Sequence, residues 1–156
     1  MTTPATATLR AMDKDGTADI QQRLQRLTAD TAPLWGRMTA AQAVAHCAIG
    51  VEMALGDVRP PRMLIGHVLG PIFKRVVLGN DSPMRPNSPT APELVVRDKR
   101  DFEVERGRLA KLVERLGGVG DGTTTHPHPF FGRLTPTQWS QLQYKHLDHH
   151  LRQFGM

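Results

Sequence analysis

Residues 144–156 read Tyr144-Lys145-His146-Leu147-Asp148-His149-His150-Leu151-Arg152-Gln153-Phe154-Gly155-Met156 and lie at the end of a long helical pattern. His146 and His150 are four positions apart, so on an α-helix they differ by roughly 40° and lie on one face. Two imidazoles with this spacing can bind one metal ion. The glutamate base of the helical zinc-protease motif is missing, because Leu147 follows His146. The stretch therefore predicts part of a metal site whose third ligand comes from elsewhere in the chain.

Length and cysteine content favour one cytoplasmic domain. The 156 residues suffice for a hydrophobic core without disulfides, and we expect a disordered tail over residues 1–16 and a single domain over residues 17–156. Cys47 is the only cysteine, which excludes an internal disulfide and is typical of a reducing compartment. The first residues lack the apolar segment of a signal peptide, and no apolar run is long enough to span a membrane.

The net charge of +5 raises nucleic acid as a partner, because Lys and Arg bind phosphates. The basic residues are scattered, however, and the nearest cluster, Arg97, Lys99 and Arg100, is interrupted by Asp98. Five Phe, two Trp and one Tyr do not provide a platform on which bases stack. This pattern argues against a nucleic-acid partner. A basic DNA-associated stress protein is thus the third of three functional hypotheses.

Helical spacing and cap residues predict four principal helices and one extra segment. The expected helices run from Thr17 to about Ala29, from the N-cap Thr39 to about Leu55, from Asp98 or Asp101 to Gly117, and from Thr135 to about Phe154. There is little strand signal. The predicted class is all-α, and the helix count suggests a four-helix bundle.

The extra segment covers residues 62–78, in the connection between the second and third principal helices. Its apolar side chains cover more than half of a helix circumference, and Pro71 kinks or weakens it. We interpret it as a buried or oligomer-facing helix, in line with a homodimer. A membrane-surface helix is the alternative, because basic residues lie at its ends. These are Arg59, Arg62, Lys74 and Arg75. Residues 80–94 are too proline-rich for a helix or an inner strand and are typical of a lid, a binding loop or a disordered arm.

His46, on the second helix, is the candidate third ligand. It lies about 10 Å from the start of its helix, and the midpoint of His146 and His150 lies roughly 9 Å from the end of the last helix. These depths match only if the two helices are antiparallel, which a simple up-down-up-down bundle does not provide. The connection over residues 56–97 allows the chain to cross the bundle and give that orientation. Taken alone, a histidine on an apolar helix is more often a hydrogen-bonded core residue.

The same geometry assigns the remaining candidates. His126 and His128 fall at the opposite end of the bundle, so we predict that neither is a ligand. Asp148 and Glu52 point away from the histidines on their own helices, so no carboxylate base is expected. Cys47 is predicted to be a small core residue, and His149 a rim residue or substrate contact. The candidate pocket groups are Trp35, Gln42, Lys145, His149 and Gln153.

Four motifs carry a resemblance to a known family. They are Trp35-Gly36-Arg37-Met38-Thr39, Ala45-His46-Cys47, His128-Pro129-Phe130-Phe131-Gly132 and residues 144–155. From about residue 20 to residue 155, the chain resembles the DinB/YfiT-like superfamily of bacterial metal-binding four-helix bundles, in an uncharacterised branch. The resemblance implies an up-down-down-up bundle and a divalent metal, often nickel or zinc, on His46, His146 and His150. Some relatives are transferases or isomerases that use low-molecular-weight thiols such as mycothiol or bacillithiol, and others have no known activity.

The chemistry of three histidines favours catalysis. Three neutral imidazoles leave a divalent ion its full charge and an open position, as in catalytic sites. Such an ion lowers the pKa of a bound water or thiol. The leading hypothesis is a metal-dependent transferase or hydrolase that acts on a small molecule with a metal-activated thiol or water. The alternative is a non-catalytic bundle with a structural or vestigial metal site.

Overall fold

The computed structural model describes residues 9–88 and 90–156, and within them the regular structure is helical. The α-helices are α1 (Lys14–Arg26), α2 (Ala40–Leu55), α3 (Leu64–Leu78), α4 (Phe102–Gly118) and α5 (Pro136–Gln153). A short 3-10 helix, Pro92–Leu94, lies in the proline-rich stretch. These two ranges contain no strand, which confirms the predicted all-α class.

The two helices that carry the histidines begin where the sequence predicts. Thr39 Oγ1 accepts a hydrogen bond from the N–H of Gln42 at 3.1 Å, and Gln42 Oε1 accepts one from the N–H of Thr39 at 3.0 Å. Thr135 and Gln138 form the same reciprocal pair at the start of α5. α2 ends at Gly56, whose φ of 83° lies in the left-handed region that favours glycine. Local capping therefore fixes where both helices start.

α1 begins at Lys14, three residues earlier than predicted. Asp13 is the N-cap, and its side chain accepts a hydrogen bond from the N–H of Gly16 at 2.8 Å. Asp15 and Gly16, a pair that often marks a turn, therefore lie inside the first turn of α1. Met12 is buried, and its N–H donates to Ser140 Oγ on α5 at 2.9 Å. Part of the segment predicted as a tail thus packs with the helices, and residues 1–8 lie outside the described residues.

α2 and α4 run in the same direction. The side-chain amide of Gln42 donates to the carbonyl oxygen of Asp98, just before α4, at 3.1 Å. Further along both helices, Arg108 donates to both carboxylate oxygens of Glu52 at 2.7 Å. Residue numbers therefore increase in the same direction along both helices, so the helices are parallel where they meet.

α1 and α5 are also parallel. The hydroxyl of Tyr144 donates to the carboxylate of Asp19 at 2.8 Å. One turn later on each helix, Arg23 donates to Asp148 at 2.8 Å. These contacts place one face of α5 against α1 and leave another face for α2.

α3 is not buried, which corrects the interpretation of its segment as a core helix. Its bounds are close to the predicted 62–78, but Leu64 is 87% exposed and Val68 is 72% exposed. Only its inner side is covered, where Gly66 and Gly70 are buried. The oligomer-facing and membrane-surface alternatives stay open. None of the described helices combines the length and the apolarity that a membrane crossing requires.

Candidate metal centre

Three histidines meet between α2 and α5. The ligand nitrogens of His46, His146 and His150 all lie within 4.8 Å of one another, and the Nε2 atoms of His46 and His146 are 2.9 Å apart. Two nitrogen ligands of a tetrahedral zinc ion are about 3.3 Å apart. His46 is buried, whereas His146 and His150 are partly exposed. The cluster could therefore hold a metal ion after small side-chain movements, with one side facing solvent.

α2 and α5 run antiparallel at the cluster. Gly36, ahead of α2, lies against Gln153, the last residue of α5. Gly50, one turn after His46, lies against His146 instead. Residue numbers on α5 therefore decrease as those on α2 increase, so the two helices run in opposite directions. This is the orientation that the depths of the three histidines require.

The carbonyl oxygen of Leu94 orients His46. It lies 2.7 Å from His46 Nδ1. Because a carbonyl oxygen only accepts, Nδ1 carries the hydrogen and Nε2 keeps its lone pair. Hydrogen bonds of this kind orient metal-binding histidines. Leu94 belongs to the 3-10 helix, so the proline-rich stretch positions the first ligand.

Gln153 orients His150 in the same way. Its Oε1 lies 2.8 Å from His150 Nδ1, and its Nε2 donates to the carbonyl oxygen of Trp35 at 2.9 Å. The Trp35 carbonyl requires the amide nitrogen, so the amide oxygen faces the imidazole and accepts from Nδ1–H. The backbone N–H of Leu34 also donates to the carbonyl oxygen of Gln153 at 2.7 Å. The segment before α2 thereby fixes the end of α5.

His146 packs against the backbone of α2 at Gly50. A Cβ on Gly50 would lie 3.1 Å from His146 Nδ1 and 3.4 Å from Gln143 Oε1, so the glycine leaves room for the imidazole. Gln143 is buried, and its Oε1 has no hydrogen-bond partner within the described part of the chain. Sequence reasoning missed Gln143, although it lies one turn before His146.

The three histidines are neutral near pH 7. Burial lowers the pKa of His46. Burial and the neighbouring histidines lower the pKa of His146 well below its ordinary value, and they lower the pKa of His150 to about 3. Neutral imidazole is the form that binds a metal ion. Burial raises the pKa of the Cys47 thiol, which lies in the apolar core. Cys47 is therefore held as a thiol and not as a thiolate ligand.

The two acidic residues considered as bases face arginines. Asp148 accepts hydrogen bonds from Arg23 and Arg152, both at 2.8 Å. Glu52 accepts from Arg108 on α4. Neither carboxylate faces the three histidines, as the helical angles predict.

Trp35, His149 and Gln153 are the candidate pocket groups that the structure brings to the cluster. The rings of Trp35 and His149 lie 5.7 Å apart, and those of His149 and His150 lie 4.9 Å apart, between centroids. His149 is buried, with its Nδ1 3.2 Å from the carbonyl oxygen of Met84. The proline-rich stretch therefore covers His149, which is less open to solvent than a rim residue.

Gln42 and Lys145 make contacts elsewhere. Gln42 completes the cap of α2 and reaches the start of α4. The ammonium of Lys145 donates to the carbonyl oxygens of Val77 and, at 2.8 Å, Asn80. Lys145 therefore fixes the end of α3.

His126 and His128 lie in the loop before α5 and are not members of the three-histidine cluster. His126 Nε2 is 2.9 Å from the carbonyl oxygen of Pro60. His128 Nδ1 accepts from the backbone N–H groups of Phe130 and Phe131, both at 3.1 Å. Each imidazole thus has a role in holding this loop.

Comparisons with known proteins give a family and no reaction. Residues 7–155 match the model of a family described as "Protein of unknown function (DUF1569)". No curated protein and no solved structure matches the chain significantly. The resemblance to the DinB/YfiT-like superfamily stays a prediction.

Proposed function

The chain belongs to the DUF1569 family, whose description names no reaction, and we propose from the geometry of its site that it is a metal-dependent enzyme acting on a small molecule. The reaction is a transfer or hydrolysis with a metal-activated thiol or water as nucleophile. The observation that carries this proposal is a pair of hydrogen bonds. Nδ1 of His46 is bound to Leu94 and Nδ1 of His150 to Gln153, so Nε2 of both imidazoles carries a lone pair that can bind one ion.

The donor set fits nickel or zinc, because imidazole suits both ions. His46, His146 and His150 would hold the ion, and three protein ligands leave at least one position open. When bound, the ion supplies a positive charge that lowers the pKa of a water or thiol at that position. The partial exposure of His146 and His150 supports access of a small molecule from solvent.

The surroundings of the site favour a thiol over water as the nucleophile. Asp148 and Glu52 are both engaged by arginines, so neither is placed to remove a proton from water. A thiol has a pKa of about 8.5 and ionises without such help far more readily than water. The partly exposed ring of Trp35, next to His149, gives a small organic substrate an aromatic surface to contact. A low-molecular-weight thiol is therefore the proposed co-substrate.

The proposal includes the up-down-down-up four-helix bundle of the DinB/YfiT-like superfamily. The parallel contacts of α2 with α4 and of α1 with α5 support this arrangement, as does the antiparallel meeting of α2 and α5. The reaction is proposed to take place in the cytoplasm, where a lone cysteine stays reduced. A homodimer also stays a prediction, for which light scattering of the purified protein is the test.

A spectroscopic titration tests the proposed chemistry. Protein without a His tag is loaded with cobalt(II), and a small thiol such as 2-mercaptoethanol is added. We expect a saturable thiolate-to-metal charge-transfer band that is absent in His46→Ala. A cobalt spectrum that changes only with pH near neutrality would favour water as the nucleophile. A spectrum that responds to neither would contradict the enzyme hypothesis and favour the non-catalytic metal site.

A further inference from the structure

The outer face of α3 consists of Leu64, Ile65, Val68, Ile72, Phe73 and Val76. Nine large hydrophobic side chains are exposed in the described residues, and six of the nine lie on this face. The exposure is thus concentrated on one helix. Contiguous apolar patches of this kind mark surfaces that bind a partner or a membrane.

α3 is held firmly with this face outward. On its inner side, a Cβ on Gly66 would lie 2.6 Å from the carbonyl oxygen of Phe130, and Gly70 approaches the same oxygen closely. Rotating the helix would bring larger side chains against this backbone. At its start, the N–H of Met63 donates to the carbonyl oxygen of Pro129 at 2.8 Å, and Lys145 binds carbonyl oxygens at its end. The exposed face is therefore a property of the docked helix.

The segment that carries α3 has charges of one sign between Asp57 and Asp81. The sequence from Val58 to Asn80 contains no Asp or Glu. It contains the basic residues Arg59, Arg62, Lys74 and Arg75. None of these four forms an ion pair with a carboxylate among the described residues. Arg62 and Lys74 donate to carbonyl oxygens of the loop before α5, which leaves their charge unneutralised.

The charges favour one of two candidate binding partners for the outer face of α3. A second copy packed on α3 would bring two sets of uncompensated basic residues together, within a chain whose net charge is already +5. A surface of anionic phospholipids would neutralise the exposed Arg59 and Arg75 and take up the apolar side chains. Amphipathic helices with basic flanks lie in this way in the plane of the lipid interface. We propose that the outer face of α3 binds the protein to an anionic phospholipid surface.

This proposal is independent of the metal site. A dimer, if the chain forms one, would then use a surface other than α3. Because attraction to anionic lipid is screened by salt, binding weakens as ionic strength rises, while the apolar contribution persists.

Co-flotation with vesicles tests this proposal. The full chain is mixed with phosphatidylcholine vesicles that either contain or lack phosphatidylglycerol. We expect binding to the anionic vesicles and much weaker binding to the neutral ones. Val68→Glu and Ile72→Glu should each weaken binding by about tenfold or more, because each places a carboxylate in the apolar contact.

Val104→Glu is the matched control, since Val104 is an exposed valine on α4. It should bind the vesicles like the unchanged protein, and circular dichroism should show that all three variants stay helical. Absence of binding to the anionic vesicles would overturn the proposal, as would equal loss in the Val104 variant. Light scattering without lipid gives a further check. A dimer that Val68→Glu dissociates would assign α3 to a second copy instead.

Discussion

The Nε2 atoms of His46 and His146 lie 2.9 Å apart, although a hundred residues separate the two histidines in the chain. The Leu94 carbonyl fixes the hydrogen of His46 on Nδ1, so Nε2 of His46 has only a lone pair to offer. It can accept an N–H from His146, or it can share an ion with it. Metal binding requires the second of these arrangements.

A methyl group at Gly50 should weaken metal binding. The new Cβ would lie 3.1 Å from His146 Nδ1 and displace the imidazole, so Gly50→Ala should raise the metal dissociation constant by about tenfold. Gly107→Ala on α4 is the control, because nothing lies within 4 Å of the Cβ that it adds. It should leave metal binding unchanged and stabilise the fold by about 0.5–1 kcal/mol. Competition titrations with a chromogenic chelator measure the metal dissociation constants of both variants. Equal metal affinities in Gly50→Ala and Gly107→Ala would contradict this account of Gly50.

Loss of the Gln153 side chain should weaken the site without removing a ligand. Gln153→Ala deletes the acceptor for His150 Nδ1 and the donor to the Trp35 carbonyl. Changes of this kind to hydrogen-bond partners of metal ligands cost about 10–100-fold in affinity. Gln25→Ala, at an exposed position of α1, should have no effect. Isothermal titration calorimetry with zinc compares the affinities of the two variants. An unchanged affinity in the Gln153 variant would show that His150 needs no hydrogen-bond acceptor at Nδ1 to bind the metal.

The sequence predicts the helices and the three-histidine set because both depend on residue type and spacing. Thr39 and Thr135 are recognisable as caps, and the spacing of His146 and His150 puts both on one face. The carbonyl oxygens that orient His46 and cover His149 belong to Leu94 and Met84. Every residue has a carbonyl, so no sequence pattern marks these two.

Two other features depend on tertiary packing. The start of α1 differs from the prediction because Asp13 takes the capping role in the presence of Ser140 and the rest of α5. The apolar composition of α3 cannot tell a buried helix from an exposed one. The close approach of Gly66 to the backbone of Phe130 determines which side faces outward.

Acid should destabilise the metal-free protein. Burial and the charge of Arg62 lower the pKa of His128 to about 4, whereas an unfolded histidine has a pKa of about 6.5. Between these values the unfolded chain binds more protons. The stabilisation is therefore complete above about pH 6.5 and is lost as the pH falls towards 4, at up to about 1.4 kcal/mol per pH unit for this group.

Urea titrations in the presence of EDTA, at about pH 7 and about pH 5, measure this effect. His128→Asn keeps an acceptor for the N–H groups of Phe130 and Phe131 but cannot take up a proton. The free energy of unfolding of this variant should fall less between the two pH values. The same fall in both proteins would show that His128 does not contribute.

The metal content of the protein purified without a His tag tests the central claim most directly. After dialysis against metal-free buffer, mass spectrometry of the digested protein should find about one divalent ion per chain. His46→Ala should lose that ion, because it removes the ligand that α2 supplies, whereas His126→Ala, outside the cluster, should keep it. No bound ion in the unchanged protein, or the same content in His46→Ala, would contradict the claim that these three histidines form a metal site.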